Sequence, residues 1–220
     1  MATVTENCTE WTVQDVLDRF GPIPIGRIRQ KPKPSTATEE DVIAIRDREK
    51  RLYELVDGTL VEKVMGWNEA FLALEIGAIL RDFVKTRKLG VVVGADGMYR
   101  LNPDLVRIPD VSFLSRDRIP DGRLPQSAIC PLIPNLAVEV LSAGNTKKEM
   151  AEKLDDYFRA GVELVWYVDP AKKTVRVYHG PDDSRLVRES GTIDGGAVLP
   201  GFTMRLRDLF ADPLADDRVP

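Results

Sequence analysis

Two rhythms of apolar and polar positions run along the chain. Helical spacing appears over 11–20, with Thr12 as N-cap and Gly21 as stop, and over 38–50, where Glu39, Glu40 and Asp41 put acid in the first turn. It appears again over 68–85, with Leu72, Ile76, Ile79, Leu80 and Phe83 on one stripe, and over 147–160, capped by Asn145 or Thr146 and closed by Gly161. A short terminal helix is predicted near 208–210. Extended runs cover 52–56 and 59–64, which flank the hairpin signal Asp57-Gly58, and then 91–93 and 98–101. Residues 105–114 are also extended, with Pro109 marking a strand start, an edge or a bulge. Runs 163–169 and 174–179 form a second hairpin about Pro170, and 199–204 leads into the last helix. The basic, proline-rich piece 21–33 is read as a solvated linker, and 115–133 as a polar loop.

One run departs from both rhythms. Residues 134–142 (Pro-Asn-Leu-Ala-Val-Glu-Val-Leu-Ser) are apolar almost throughout, as in a central strand covered on both faces, yet Glu139 sits in the middle. A right-handed crossover through helix 147–160 would set 136–141 parallel to 163–169. The predicted fold class is therefore α/β or α+β, a mixed central sheet flanked by helices. The predicted organisation is an N-terminal helical and basic arm over 1–50, a domain over 51–212 and a tail over 213–220.

Composition narrows the function classes. With 220 residues, 43% hydrophobic and 30% charged, the chain can bury a substantial core as one domain plus an arm. The N-terminal residues 1–6 lack a signal-peptide pattern, and no apolar run is long enough to span a bilayer. Cys8 and Cys130 form neither a disulfide framework nor a metal motif, so a cytoplasmic setting is expected. A single histidine, His179, argues against zinc sites rich in histidine and against a Ser-His-Asp triad. Chemistry here must run on carboxylates, lysines, hydroxyls or a hard cation held by oxygen. The net charge of −4 argues against nonspecific coating of nucleic acid, but permits a local basic groove.

A buried glutamate needs a partner: a metal, a lysine or several donors. Asp110 follows Pro109 in an extended segment. If its strand neighbours that of Glu139, about 4.8 Å away, the two carboxylates converge on one cation. Carboxylate oxygens, water and a substrate phosphate are the set that Mg²⁺ (or Mn²⁺) prefers, and such a metal serves phosphodiester hydrolysis. Met150, Leu154, Tyr157 and Phe158 form the sheet-packing face of helix 147–160. Lys153 lies at the edge of that face, in reach of Glu139 and placed to orient or deprotonate a water.

Taken in order, Pro109-Asp110, then Glu139 within Ala-Val-Glu-Val-Leu-Ser, Lys153 before Tyr157, and Val165-Trp166-Tyr167-Val168-Asp169-Pro170 resemble the Uma family of restriction endonucleases. So do Tyr53-Glu54-Leu55-Val56-Asp57-Gly58 and Leu199-Pro200-Gly201-Phe202. That family belongs to the PD-(D/E)XK nuclease superfamily, and the resemblance covers about 50–210. It implies a restriction-endonuclease-like fold acting on DNA, with Asp110 and Glu139 as metal ligands and Lys153 as the catalytic lysine. It also implies an auxiliary glutamate, Glu69 or Glu75 from the early helix, with Glu54 as a further candidate. The superfamily's simplest pattern places lysine two residues after the acid; here Leu141 stands there, so activity rests on Lys153.

Simpler readings stand beside this one. Asp110 is alternatively a strand-end aspartate capping backbone donors, and Glu139 one half of a buried ion pair with Lys153 or Arg107. Lys153 is alternatively a helix-edge lysine with an exposed head. Ser142 either lies near the site or caps a turn. Trp166 and Tyr167 are read as strand packing. The alternatives to a DNA endonuclease are a degenerate nuclease fold kept for binding or assembly, an RNA nuclease, and a structural α/β protein. A homodimer is expected, because cutting both strands of a duplex commonly needs two sites; target sequence and biological role are not encoded in any recognisable way.

Overall fold

The computed structural model of the protein describes residues 11–214. The N-terminal residues 1–6, Cys8 and most of the proposed tail lie outside them. In chain order the elements are α1 (Val13–Phe20), α2 (Glu39–Glu49), β1 (Tyr53–Val56), β2 (Thr59–Glu62), α3 (Trp67–Arg87), β3 (Gly90–Val93), β4 (Met98–Asn102), β5 (Leu105–Arg107), β6 (Val111–Ser115), β7 (Ile129–Cys130), β8 (Leu136–Val140), α4 (Lys147–Ala160), β9 (Leu164–Asp169), β10 (Thr174–Tyr178), β11 (Ser184–Arg188), β12 (Thr192–Gly195), β13 (Leu199–Arg205) and α5 (Leu206–Leu209). No helix among the described residues is long and apolar enough to cross a membrane.

Local chemistry sets most of these boundaries. Thr12, Thr38 and Thr146 each cap a helix in a full capping box, with Asp15, Asp41 and Glu149 returning the bond. Gly161 ends α4 in the left-handed region at φ 98°. Asp57 and Gly58, at φ 49° and 68°, form the tight hairpin turn between β1 and β2.

Three sheets result. The central one is mixed, with six strands in the order β11-β10-β9-β8-β6-β3. In it β8 and β9 run parallel, joined through α4, while β6 pairs antiparallel with β8. A second sheet has the order β2-β1-β5-β4-β7, and β12 pairs with β13 in a third. The extended segment 105–114 is thus two strands in two sheets, and Pro109-Asp110 is where the chain passes between them. Proline lacks the donor that a continuous ladder would need there. The polar insert before residue 199 holds β11 and β12, which its weak apolar alternation did not signal.

Each strand divides its side chains between two faces. On one face of the central sheet Val111, Val138, Val140, Trp166 and Val168 pack under α3 through Ala73, Ile76 and Leu80. Trp166 stacks on Phe202, in keeping with a packing role. The other face, with Ala137, Val165 and Tyr167, is covered by α4 and by Val56, Val61, Tyr99 and Leu105 of the second sheet. That sheet buries its far face under α2 through Val42 and Ile45. Residues 21–33 are held down rather than forming a solvated linker. Ile23 and Ile28 are buried in the cluster with α4, and Arg27 pairs with the buried Glu149 at 2.6 Å. Apolar residues spaced between the prolines outweigh the local charge run.

Candidate active site

The site lies between the α4-covered face of the central sheet and the second sheet. In the antiparallel register of β6 and β8, Val111 faces Val138, which sets Asp110 opposite Glu139. The Asp110 amide donates to the Val138 carbonyl at 2.9 Å, extending the ladder by one residue. Directly opposed residues project to the same face. Here that face points away from α3 and toward α4.

Both carboxylates are buried and oriented. Asp110 Oδ2 accepts the Val140 amide at 2.6 Å, while its Oδ1 meets Lys63 Nζ at 2.8 Å. Lys63 also donates to the Ile108 carbonyl at 2.6 Å. Glu139 accepts from the Tyr157 hydroxyl and from Lys153 Nζ, the latter at 3.0 Å. Lys153 in turn lies 3.0 Å from Glu54, whose other oxygen is 2.8 Å from Arg107. Arg107 closes the chain on Asp156, and Arg19 reaches Asp156 from the periphery at 3.6 Å. Four carboxylates are thus met by four cations.

Sequence explains how these groups arrive together. Glu54 precedes Val56 by two on β1, Lys63 follows Val61 by two beyond β2, and Arg107 follows Leu105 by two on β5; each shares the inward face of its apolar neighbour. On α4, Glu149, Lys153 and Asp156 repeat at helical spacing beside Met150, Leu154 and Tyr157, and all six are buried. The helix therefore turns a polar stripe inward along with its apolar one.

The environment separates the titrations. Burial pushes the Glu139 carboxyl above its ordinary range, the Asp110 charge adds to this, and the Lys153 ammonium opposes it. Glu54 moves the other way. Burial raises it, but Lys153, Arg107 and the Ile108 amide together bring it down to about 2. For Lys153 burial works against the ammonium, and the charges of Glu139 and Glu54 more than compensate, so its pKa lies above the ordinary lysine value. Burial, then the Glu139 charge, holds the Tyr157 hydroxyl protonated as a donor.

The Glu54 shift has a consequence for acid stability. Its folded pKa lies below the ordinary 4.5, so its contribution is complete above pH 4.5 and is lost as pH falls toward about 2. That contribution is on the order of 3 kcal/mol. The urea midpoint of the parent should therefore fall steeply across this window, while that of Glu54→Gln starts lower and falls less. Parallel acid limbs for the two proteins would refute the coupling.

Of the residues singled out in the sequence, Asp110, Glu139, Lys153 and Glu54 meet here. Glu69 and Glu75 do not. They stand on α3, which packs against the opposite face of the sheet, and neither has a cation partner among the described residues. Ser142 is bound into the turn after β8, its amide donating to Asn145 Oδ1 at 2.9 Å. It lines, with Glu69, a separate groove of about 760 Å³. Arg107 pairs with Glu54 and Asp156 rather than with Glu139. Sequence reasoning missed Lys63 and Asp156. The signals for them were the two-residue step from Val61 and the helical repeat 149, 153, 156.

The two carboxylates are donors of the kind a divalent ion takes, and in this structure Lys63, Lys153, Tyr157 and the Val140 amide engage them. Asp110 and Glu139 offer hard oxygen ligands from adjacent strands, and Mg²⁺ takes one or two carboxylates, completing its shell with water and phosphate. No group of three or more His, Cys, Asp or Glu is arranged to hold a metal among the described residues, so an all-protein cage does not arise. Asp110 also lines a groove of about 720 Å³ between α3 and β3, which Glu139, Lys153, Glu54 and Lys63 do not line.

The model of the Uma2 family, described as "Putative restriction endonuclease", matches residues 39–207. The chain belongs to the Uma2 family. The match begins in α2 and runs through β13, leaving α1 outside it. No curated protein matches. Among solved structures, the fold is similar to that of "a putative nuclease belonging to DUF820" from Anabaena variabilis ATCC 29413, with a TM-score of 0.65 and 18% identity over 73% of this chain and 90% of that one. The mixed α+β architecture of this Uma2 protein is thus that of a nuclease-fold relative, and its family membership supports a nuclease function.

Proposed function

We propose that this Uma2 protein is a divalent-metal-dependent DNA endonuclease that hydrolyses phosphodiester bonds at Asp110 and Glu139. The observation that carries the reading is the opposition of these two carboxylates across adjacent strands, with Lys153 on Glu139. Mg²⁺ or Mn²⁺ would be held by Asp110 and Glu139, and when bound would supply stabilisation of the charge developing on the phosphoryl oxygens.

The chain's own groups have separable tasks. The Val140 amide and the Tyr157 hydroxyl fix the two carboxylates, so that little reorganisation is needed on binding. Lys153 stays protonated, since Glu139 and Glu54 hold its pKa up. As an ammonium it would serve as a donor that orients the attacking water or meets the phosphate. Glu54 and Arg107 hold Lys153 and the flanking backbone in place from below.

One feature favours a second reading, a nuclease fold kept for binding. Lys63 and Lys153 already neutralise both carboxylates, as a closed structural network would. Cleavage of duplex plasmid separates the two. The parent should nick or linearise it with Mg²⁺ or Mn²⁺ and not with EDTA. Lys153→Ala should lose about 10²-fold or more in turnover, yet keep Mn²⁺ binding by titration calorimetry. No cleavage by the parent under any divalent ion would favour the binding reading, and loss of Mn²⁺ binding in Lys153→Ala would make the lysine structural. Double-strand cleavage by a homodimer would appear as linear product without accumulation of nicked circles.

A further inference from the structure

We infer that duplex DNA lies along the groove between α3 and β3, with Arg81, Lys85, Lys88 and Arg116 neutralising the phosphates that flank the cleaved bond. This rests on the endonuclease reading and names the surface that would hold its substrate. Many arginines among the described residues are committed. Arg19, Arg27, Arg29, Arg51, Arg100, Arg107 and Arg118 all pair with carboxylates. Arg81, Lys85, Lys88 and Arg116 are exposed and have no carboxylate partner among the described residues. All four line one groove of about 530 Å³, and no acidic residue lines it with them. Four unpaired cations gathered in a protein of net charge −4 form a local anion-binding surface rather than an evenly solvated face.

The placement follows from the elements. Arg81 and Lys85 lie four apart on α3 and so share one side of the helix, and Lys88, the left-handed C-cap that ends it, lines the same groove. Arg116 closes the groove from the other wall. Its amide donates to the Leu89 carbonyl at 2.7 Å, and at Gly90 the backbone approaches so closely that a Cβ would lie 2.1 Å from the Leu114 carbonyl. The two cations on α3 are about 6 Å apart along the helix, a separation on the scale of neighbouring phosphates of one strand.

Continuity ties this surface to the site. The basic groove and the groove onto which Asp110 opens share Arg81 and Val92, and so form one track along α3. Between Asp110 and Arg81 that track is lined by Gly77 and Ala78, whose small size lets a backbone pass close to the helix. A strand lying in this track and passing Asp110 would therefore run toward the four cations.

The test is a salt titration of binding, by fluorescence anisotropy, with a labelled duplex of about two helical turns in EDTA, so that no cleavage intervenes. The full chain is compared with the variant Arg81→Gln/Lys85→Gln/Lys88→Gln/Arg116→Gln. Four phosphate contacts give a slope of log affinity on log salt of about −3.6, a loss of about 150-fold between 50 and 200 mM. The quadruple variant should lose that component of the slope, and Lys85→Gln/Lys88→Gln about half of it, a milder change in case the larger one disturbs folding. Parent-like slopes in folded variants would overturn the groove assignment, whatever becomes of catalysis. Tighter binding of single-stranded RNA than of duplex DNA by the parent would overturn the choice of partner. Parent-like cleavage by Asp110→Asn would instead overturn the catalytic reading and leave the groove standing.

Discussion

Asp110→Asn and Glu139→Gln are each expected to lower phosphodiester hydrolysis by about 10³-fold or more, with the fold intact. The magnitude follows from removing several kcal/mol of charge stabilisation, at tenfold in rate per 1.4 kcal/mol or so. Both substitutions keep the shape of the side chain. Asn retains an acceptor for the Val140 amide, and Gln one for Tyr157 or Lys153. Each loses the charge that would hold a divalent cation and that now holds Lys63 or Lys153. Because the two carboxylates would act on one ion, the double variant should be little worse than either single one. Steady-state cleavage of a plasmid, with near-ultraviolet circular dichroism as a check on packing, measures all three. Either single variant retaining the parent's rate sinks the assignment of the site.

The second large effect concerns stability. Arg107→Met should destabilise the protein by about 3–5 kcal/mol. Arg107 is only 2% exposed and is shared between Glu54 and Asp156. Truncating it strands two carboxylates in the interior. Lys153 and the Ile108 amide still serve Glu54, whereas Asp156 keeps only the more distant Arg19. For a chain of this length the loss corresponds to a fall in melting temperature of about 10 °C. Glu54→Gln added to Arg107→Met should recover part of it, because the two changes touch one network. A change within about 1 kcal/mol in urea unfolding would mean that water or local relaxation, rather than Arg107, satisfies these acids.

Much of the candidate site was readable because its residues break a pattern. Glu139 announces itself as the one charge in an apolar strand, and Asp110 as the acid after a proline in an extended run. Lys153 follows from the face of an amphipathic helix whose caps, Thr146 and Gly161, are plain in the sequence. Lys63, Arg107 and Asp156 break no such pattern. A lysine just past a hairpin strand, an arginine on a short strand and an aspartate in a charged helix are ordinary surface residues by type. Their burial depends on the second sheet lying over the first.

The sequence alone determined the helices and their caps, the Asp57-Gly58 hairpin, the parallel β8–α4–β9 unit and the family, because these depend on local periodicity, turn chemistry and residue order. With a single histidine, it also pointed any chemistry toward carboxylates, lysines, hydroxyls or a hard cation held by oxygen. The tertiary structure decided how these pieces pair. It split 105–114 between two sheets at Pro109, set Asp110 opposite Glu139, and placed Glu54 rather than Glu69 or Glu75 beside Lys153. It also gathered Arg81, Lys85, Lys88 and Arg116 into one groove from α3, its C-cap and the turn after β6. Strand register and sheet stacking are contacts between residues distant in the chain. No local pattern encodes them, because the same alternation is compatible with several partners until packing selects one.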